Sequence, residues 1–150
     1  MVTQQPVAQE TCQGGSATFT ARASGSAPLA YQWRRGTANV LDGGHISGAV
    51  SPALTIHSAM LADAAPDYNL VVTNSAGSIT TGNVALAVYA TGAGDANGDG
   101  VLDGQDVAPF VAYLLSGAAA SPGYCAADMN GDGLHDGADI QAFVNTLIPP

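Results

Sequence analysis

One twelve-residue pattern is written twice in this chain, and it restricts the fold more than any other feature. Asp95, Asn97, Asp99, Gly100, Asp103 and Asp106 recur 33 residues later as Asp128, Asn130, Asp132, Gly133, Asp136 and Asp139. Each run then turns apolar. Val107, Phe110, Val111 and Leu114 sit at i, i+3, i+4 and i+7, one face of a helix, and Ile140, Phe143, Val144 and Leu147 repeat them. Pro109 lies inside the first pattern, so that helix is expected to start late or kink there. A duplicate at fixed spacing means one structural unit used twice. A single loop–helix unit cannot bury its own apolar face. Two can, by packing the Val107 face against the Ile140 face.

Charge follows the same division. The chain has 150 residues and a net charge of −9. Residues 1–90 set Arg22, Arg34 and Arg35 against Glu10, Asp42, Asp63 and Asp67, whereas residues 91–150 hold eight Asp and no Lys or Arg. Such asymmetry predicts two units with different work. Three basic residues leave no counter-charge for phosphates, which excludes a nucleic-acid partner. No apolar run reaches the ~18 residues of a membrane-spanning helix, so membrane insertion is not expected. The opening MVTQQPVAQE has neither the basic start nor the apolar stretch of a secretory signal.

The spacing D-x-N-x-D-G-x-x-D-x-x-D suits a hard cation. Calcium takes roughly six to eight oxygens at ~2.3–2.6 Å. Asp95, Asn97 and Asp99, with Asp128, Asn130 and Asp132, offer side-chain oxygens from the first, third and fifth loop positions. Glycine at the sixth position, Gly100 and Gly133, permits the sharp turn with positive φ. Val101 and Leu134 offer backbone carbonyls, and Asp103 and Asp136 act through water. Asp106 and Asp139 supply a carboxylate from the first turn of the following helix. Magnesium keeps its waters and suits the pattern less well, and no Cys or His stands at zinc spacing. Two calcium ions would halve the −8 of this unit. Without them it is expected to fold poorly, because binding energy becomes folding energy.

Residues 1–90 read as β. SATFTARA, LAYQWRR, ALTIHS, DYNLVVT and VALAVYA are short, partly alternating and separated by the turn signals GSAP, DGGH and NSAGS. An antiparallel sandwich is expected over 1–90, a linker at 91–94, and a small α domain of two EF-hand-like calcium loop–helix repeats over 95–150. Trp33, Tyr31, Tyr68 and Tyr89 are the candidates for a sugar-stacking platform, with Trp33 and Tyr68 read instead as core. His45 and His57 read as unpaired surface residues.

About 94–148 the sequence resembles the dockerin domains of bacterial extracellular proteins, which are duplicated calcium loops each followed by a helix. The resemblance implies calcium ligands at Asp95, Asn97, Asp99, Asp106, Asp128, Asn130, Asp132 and Asp139. It also implies calcium-dependent docking onto a partner protein, typically a cohesin domain. Loop positions ten and eleven, where cohesin-binding members often carry Ser or Thr, read Gly104–Gln105 and Gly137–Ala138 here, and His135 stands at the usually aliphatic eighth position. Around Trp33 the chain resembles immunoglobulin-like domains. That resemblance makes Tyr68 the tyrosine-corner residue and places Ala21 and Leu70 where an intersheet disulfide would be. Similar repeats often pair an early cysteine with one in the F–G turn, but here that turn, NSAGS, has none. The two cysteines, Cys12 and Cys125, are therefore expected to pair with each other in an oxidising compartment, within one chain or between copies.

No G-x-S-x-G, H-E-x-x-H or phosphate-cradling loop is present, and the paired carboxylates are committed as ligands. The chain therefore reads as a non-catalytic protein, secreted or at the cell surface. Two functions fit. In one, the dockerin-like unit attaches to a cohesin-like partner with the sandwich as spacer. In the other, copies bind each other into an extracellular filament, with Val2 to Gln9 as an edge strand open to a neighbour's sheet.

Overall fold

The computed structural model describes residues 1–116 and 120–148. Strand formation begins from simple alternation. In the segment Ala17–Thr20, Ala17 and Phe19 are buried while Thr18 and Thr20 are exposed. Eleven strands are seen among the described residues. The first six are β1 (Val2–Gln4), β2 (Gln9–Cys12), β3 (Ala17–Thr20), β4 (Arg22–Ala23), β5 (Ala30–Arg35) and β6 (Ala38–Asn39). The rest are β7 (Ile46–Ser47), β8 (Ala53–Ile56), β9 (Ala65–Asn74), β10 (Gly77–Thr80) and β11 (Val84–Tyr89). One sheet runs β2-β11-β9-β5-β6 with β10 also on β9, a second runs β3-β8-β7, and β1 pairs with β4.

The ten-residue β9 is central because both its edges are used. β5 lies along one edge, from Ala30 opposite Thr73 to Arg35 opposite Tyr68. β10 and β11 share the other. Where β10 ends, Thr81 fills the gap: its N–H donates to the Leu70 carbonyl and its Oγ1 accepts from the Leu70 N–H, each at 2.9 Å. Phe19 of the smaller sheet meets Trp33 and Tyr68 of the larger, with ring centroids 5.9 and 5.1 Å apart. Trp33 is fully buried, and its Nε1–H donates to the Ser51 carbonyl at 2.9 Å, so the indole carries no unpaired polar atom into the core. Tyr68 is buried as well, which removes both from any sugar platform, while Tyr31 and Tyr89 are half-buried. Ala21 and Leu70 are both buried, so apolar packing stands where a disulfide would be. The tyrosine corner closes through the Tyr68 hydroxyl, which donates to the Asp63 carbonyl at 2.8 Å.

Among the described residues β1 pairs with β4 alone and β2 ends the larger sheet on β11, so the segment from Val2 to Gln9 carries edge strands with one side unpaired. One sequence expectation needs correction here. His45 is not unpaired: its Nε2 lies 2.9 Å from Asp63 Oδ2. His57 is exposed, as expected, and its Nε2 lies 3.1 Å from Ser47 Oγ. A contact between residues 18 positions apart leaves no local pattern to read.

The chain forms two compact units, Met1–Gln9 with Ser16–Ala87, and Glu10–Gly15 with Val88–Pro150. In the second unit a 3-10 turn, Gly104–Asp106, leads into α1 (Val107–Ser116). This puts Pro109 in the first helical turn, where a missing N–H costs little. The remaining helices are α2 (Pro122–Ala126) and α3 (Gly137–Leu147). The segment expected as a linker is tied into this unit, since Gly94 N–H donates to the Ala126 carbonyl at 3.0 Å. Of the two helical faces expected to pack together, Phe110, Leu114, Phe143 and Leu147 enter the core, whereas Val107, Val111, Ile140 and Val144 do not. Phe110 and Phe143 form the core with Ala96 and Ala127, flanked by Leu102, Tyr113, Leu114, Met129 and Leu147. Val107, Val111, Ile140 and Val144 remain 42–47% exposed. Two bulky rings stacked at the centre fill the space that the neighbouring aliphatic side chains would otherwise occupy.

Candidate metal centre

Both acidic loops are built by the same short-range bonds. Asp95 uses Oδ1 to accept from Gly98 N–H and Oδ2 to accept from Gly100 N–H, at 2.8 and 2.9 Å. Asp128 does the same with Gly131 and Gly133, at 2.8 and 3.0 Å. Asn97 Oδ1 accepts from Asp99 N–H, and Asn130 Oδ1 from Asp132 N–H, at 2.8 and 2.9 Å. Asp99 Oδ1 accepts from Val101 N–H at 2.9 Å, and Asp132 Oδ1 from Leu134 N–H at 2.8 Å. Each of these four bonds in one loop thus recurs in the other to within a tenth of an ångström. Gly100 and Gly133 take φ of 86° and 84°, which an L side chain resists.

The last acidic position closes each loop on its helix. Asp106 is fully buried and accepts from Asn97 N–H at 3.0 Å and Asp103 N–H at 2.8 Å. Asp139 is equally buried, accepting from Met129 and Asn130 N–H at 2.8 and 3.2 Å and from Asp136 N–H at 2.9 Å. Asp103 and Asp136 have a structural role of their own. Each caps a helical turn, accepting from Gln105 N–H at 2.7 Å and Ala138 N–H at 2.8 Å, in a reciprocal capping box with Asp106 or Asp139. Val101 and Leu134 are exposed.

The residues fit a hard cation. The three carboxylates of Asp106, Asp128 and Asp139 are buried in a unit whose residues 91–150 include no Lys or Arg. Backbone N–H groups supply only part of the countercharge that a buried carboxylate requires. The donors are all oxygen, the set that calcium takes. Among the described residues no three His, Cys, Asp or Glu side chains converge as a ready-made cage. In both loops the carboxylates turn instead to backbone N–H groups, and a third of the expected donor positions are Asn oxygen and main-chain carbonyl.

Two features lay outside the sequence reading. The helix α2 was missed because five residues carry no period. Its start is nevertheless written in Ser121–Pro122: Ser121 Oγ accepts from Tyr124 N–H at 3.2 Å, and Pro122 takes the first helical position. The second feature is the grouping of Glu10–Gly15 with the C-terminal unit. The disulfide that accompanies it, Cys12–Cys125 across 113 residues, is the pairing expected from the sequence, here within one chain.

An all-β sandwich followed by a small helical unit with a duplicated acidic loop defines a two-domain protein of immunoglobulin-like and dockerin type. Comparison with known families agrees: the immunoglobulin I-set domain matches residues 1–88 and the dockerin type I domain matches residues 93–148. The chain belongs to the immunoglobulin I-set family and carries a dockerin type I domain after it. Dockerin domains bind calcium and attach to cohesin partners, and neither kind of domain is catalytic. Both typically occur in extracellular proteins. Among solved structures the chain is similar to the titin M3 domain, at 27% identity and a TM-score of 0.51, over 59% of this chain and 94% of that one. It is similar to a titin I-band fragment at 25% identity and a TM-score of 0.55, over 60% of this chain but 32% of that one. The tandem Ig repeats of Dlar, at 22% identity and a TM-score of 0.56 over 60% and 48%, share the fold. No curated protein matches.

Proposed function

We propose that this chain is a non-catalytic, extracellular attachment protein. Its second unit binds two calcium ions, one in each acidic loop, and docks onto a protein partner, while the sandwich acts as a spacer. The ligands are Asp95, Asn97, Asp99, the Val101 carbonyl and Asp106 in the first loop, and Asp128, Asn130, Asp132, the Leu134 carbonyl and Asp139 in the second. Asp103 and Asp136 act through water. The observation that carries the reading is the paired exposure of apolar residues behind the loops. Val107, Val111 and Leu115 on α1 are matched at 33-residue spacing by Ile140, Val144 and Ile148 at α3, and all six are exposed. Apolar groups left in water at repeated positions mark an interaction surface. The loops set the helices that present them.

Self-assembly is the second reading. It is favoured by Gly104–Gln105 and Gly137–Ala138, which give a cohesin-like domain little side chain to grip. The disulfide within one chain leaves no thiol to staple copies together. A homopolymer would therefore rest on these apolar faces or on the edge strands β1 and β2.

Light scattering of the purified chain in calcium and in chelator separates the two. A 14.9 kDa monomer that captures a purified cohesin domain only in calcium supports docking. An assembly that falls apart in chelator supports self-association. A monomer that captures no cohesin in calcium sinks the docking reading.

A further inference from the structure

The two acidic loops share one pattern but not one environment. Asp128 is 1% exposed, whereas Asp95 is half-buried. Helix α2 ends at Ala126, and Asp128 N–H donates back to the Cys125 carbonyl at 3.3 Å. Cys125 is fully buried and joined to Cys12. The eighth loop position differs as well. Leu102 of the first loop packs against the Phe110–Phe143 core, but His135 of the second stacks on Tyr124 of α2, with ring centroids 3.8 Å apart. His135 Nε2 also lies 2.7 Å from the Tyr124 carbonyl. The second loop is therefore held by α2 at its first residue and again at its eighth. The first loop meets α2 at Gly94 and Ala96, neither of which is a candidate ligand. There Gly94 donates to Ala126, and the Ala96 carbonyl sits where a Cβ on Gly123 would be.

We infer that α2, anchored by the Cys12–Cys125 disulfide, presets the second loop, so that the duplicated loops bind calcium unequally and the second binds more tightly. This rests on the calcium reading above. A loop already held at two points loses less freedom when an ion orders it, and that saving appears as affinity. The disulfide supplies the hold, since α2 has only five residues and a helix so short is marginal by itself. Cys12 and Cys125 thereby act as positioning residues for a metal neither touches.

Calcium titration calorimetry on the full chain tests it. Asp95→Ala leaves the second loop to be read alone, and Asp128→Ala leaves the first. Adding Cys12→Ser with Cys125→Ser is expected to weaken the second loop on the order of tenfold and the first by less than about threefold. Equal weakening of both loops, or none, overturns the inference. Absence of calcium heat from the unmutated chain overturns the calcium reading beneath it, and the inference with it. A second measurement needs no cysteine variant. An external dithiol reduces the disulfide, giving two protein thiols and the oxidised dithiol, and the fraction reduced at equilibrium in a dithiol–disulfide buffer is read by thiol alkylation in calcium and in chelator. Because coupling is reciprocal, calcium is expected to shift this equilibrium toward the disulfide in the Asp95→Ala chain and not in the Asp128→Ala chain. Equal protection in both, or none in either, overturns it.

Discussion

Phe110 and Phe143 hold the same position in the two copies of the repeat, and their rings stack with centroids 4.0 Å apart and planes 15° apart. The duplication therefore meets itself at the centre of the helical unit. One copy would leave its phenylalanine in water, and the second copy supplies the surface that buries it. Truncating either ring removes the core of a unit with few other fully buried apolar side chains. Phe143→Ala is expected to cost about 3–5 kcal/mol. Denaturant titration followed by far-ultraviolet circular dichroism would show it as early loss of helix. A shift below ~1 kcal/mol would mean that the stack contributes little.

Calcium removal should act on this unit before the sandwich. At a calcium level one hundred times the dissociation constant, each site adds about 2.7 kcal/mol to the folded state. Chelator is expected to reduce the helical signal while leaving the fluorescence of Trp33, the chain's one tryptophan, in its buried form. Asp95→Ala with Asp128→Ala should give a spectrum that no longer responds to calcium. Full response in that variant would refute the ligand assignment.

The tyrosine corner sets an alkaline limit for the sandwich. Burial pushes the Tyr68 phenol above its ordinary value of 10.0; Arg35 nearby opposes this, and Asp63 and Asp67 add to it. A group whose pKa is raised on folding stabilises the fold fully below its unfolded pKa and loses that contribution as pH climbs through the folded value. Stability should therefore fall above pH ~10. Tyr68→Phe is expected to remove that step and to cost about 1–3 kcal/mol at neutral pH, by leaving the Asp63 carbonyl without its donor. Thermal melts of both proteins at pH 7 and above 10 would check the sign.

Charges on the exposed apolar face should separate docking from folding. Val111→Glu with Val144→Glu places carboxylates on side chains that are nearly half exposed, so stability should change by less than ~0.5 kcal/mol per site. Calcium stoichiometry should stay unchanged while calcium-dependent capture by cohesin, or self-association, is lost. Unaltered capture would place the partner surface elsewhere.

The sequence determined the duplicated loops, because their hydrogen-bonded turn geometry is local. Asp95 bonds to residues three and five further along the chain, and glycine at the sixth position permits the required φ wherever the loop sits. It determined the strands around Trp33 for the same reason, since alternation and turn residues act over a few positions. Tertiary structure decided what depends on distance along the chain. The choice of Phe110 and Phe143 as the core, with Val107 and Ile140 left in water, depends on how two helices fill space together. Nor does any local pattern report that His45 reaches Asp63, or that His135 leaves the aliphatic role of its position to stack on Tyr124. The grouping of Glu10–Gly15 with residues from Val88 onward was likewise decided in three dimensions, where a bond between residues 113 apart outweighs proximity in sequence.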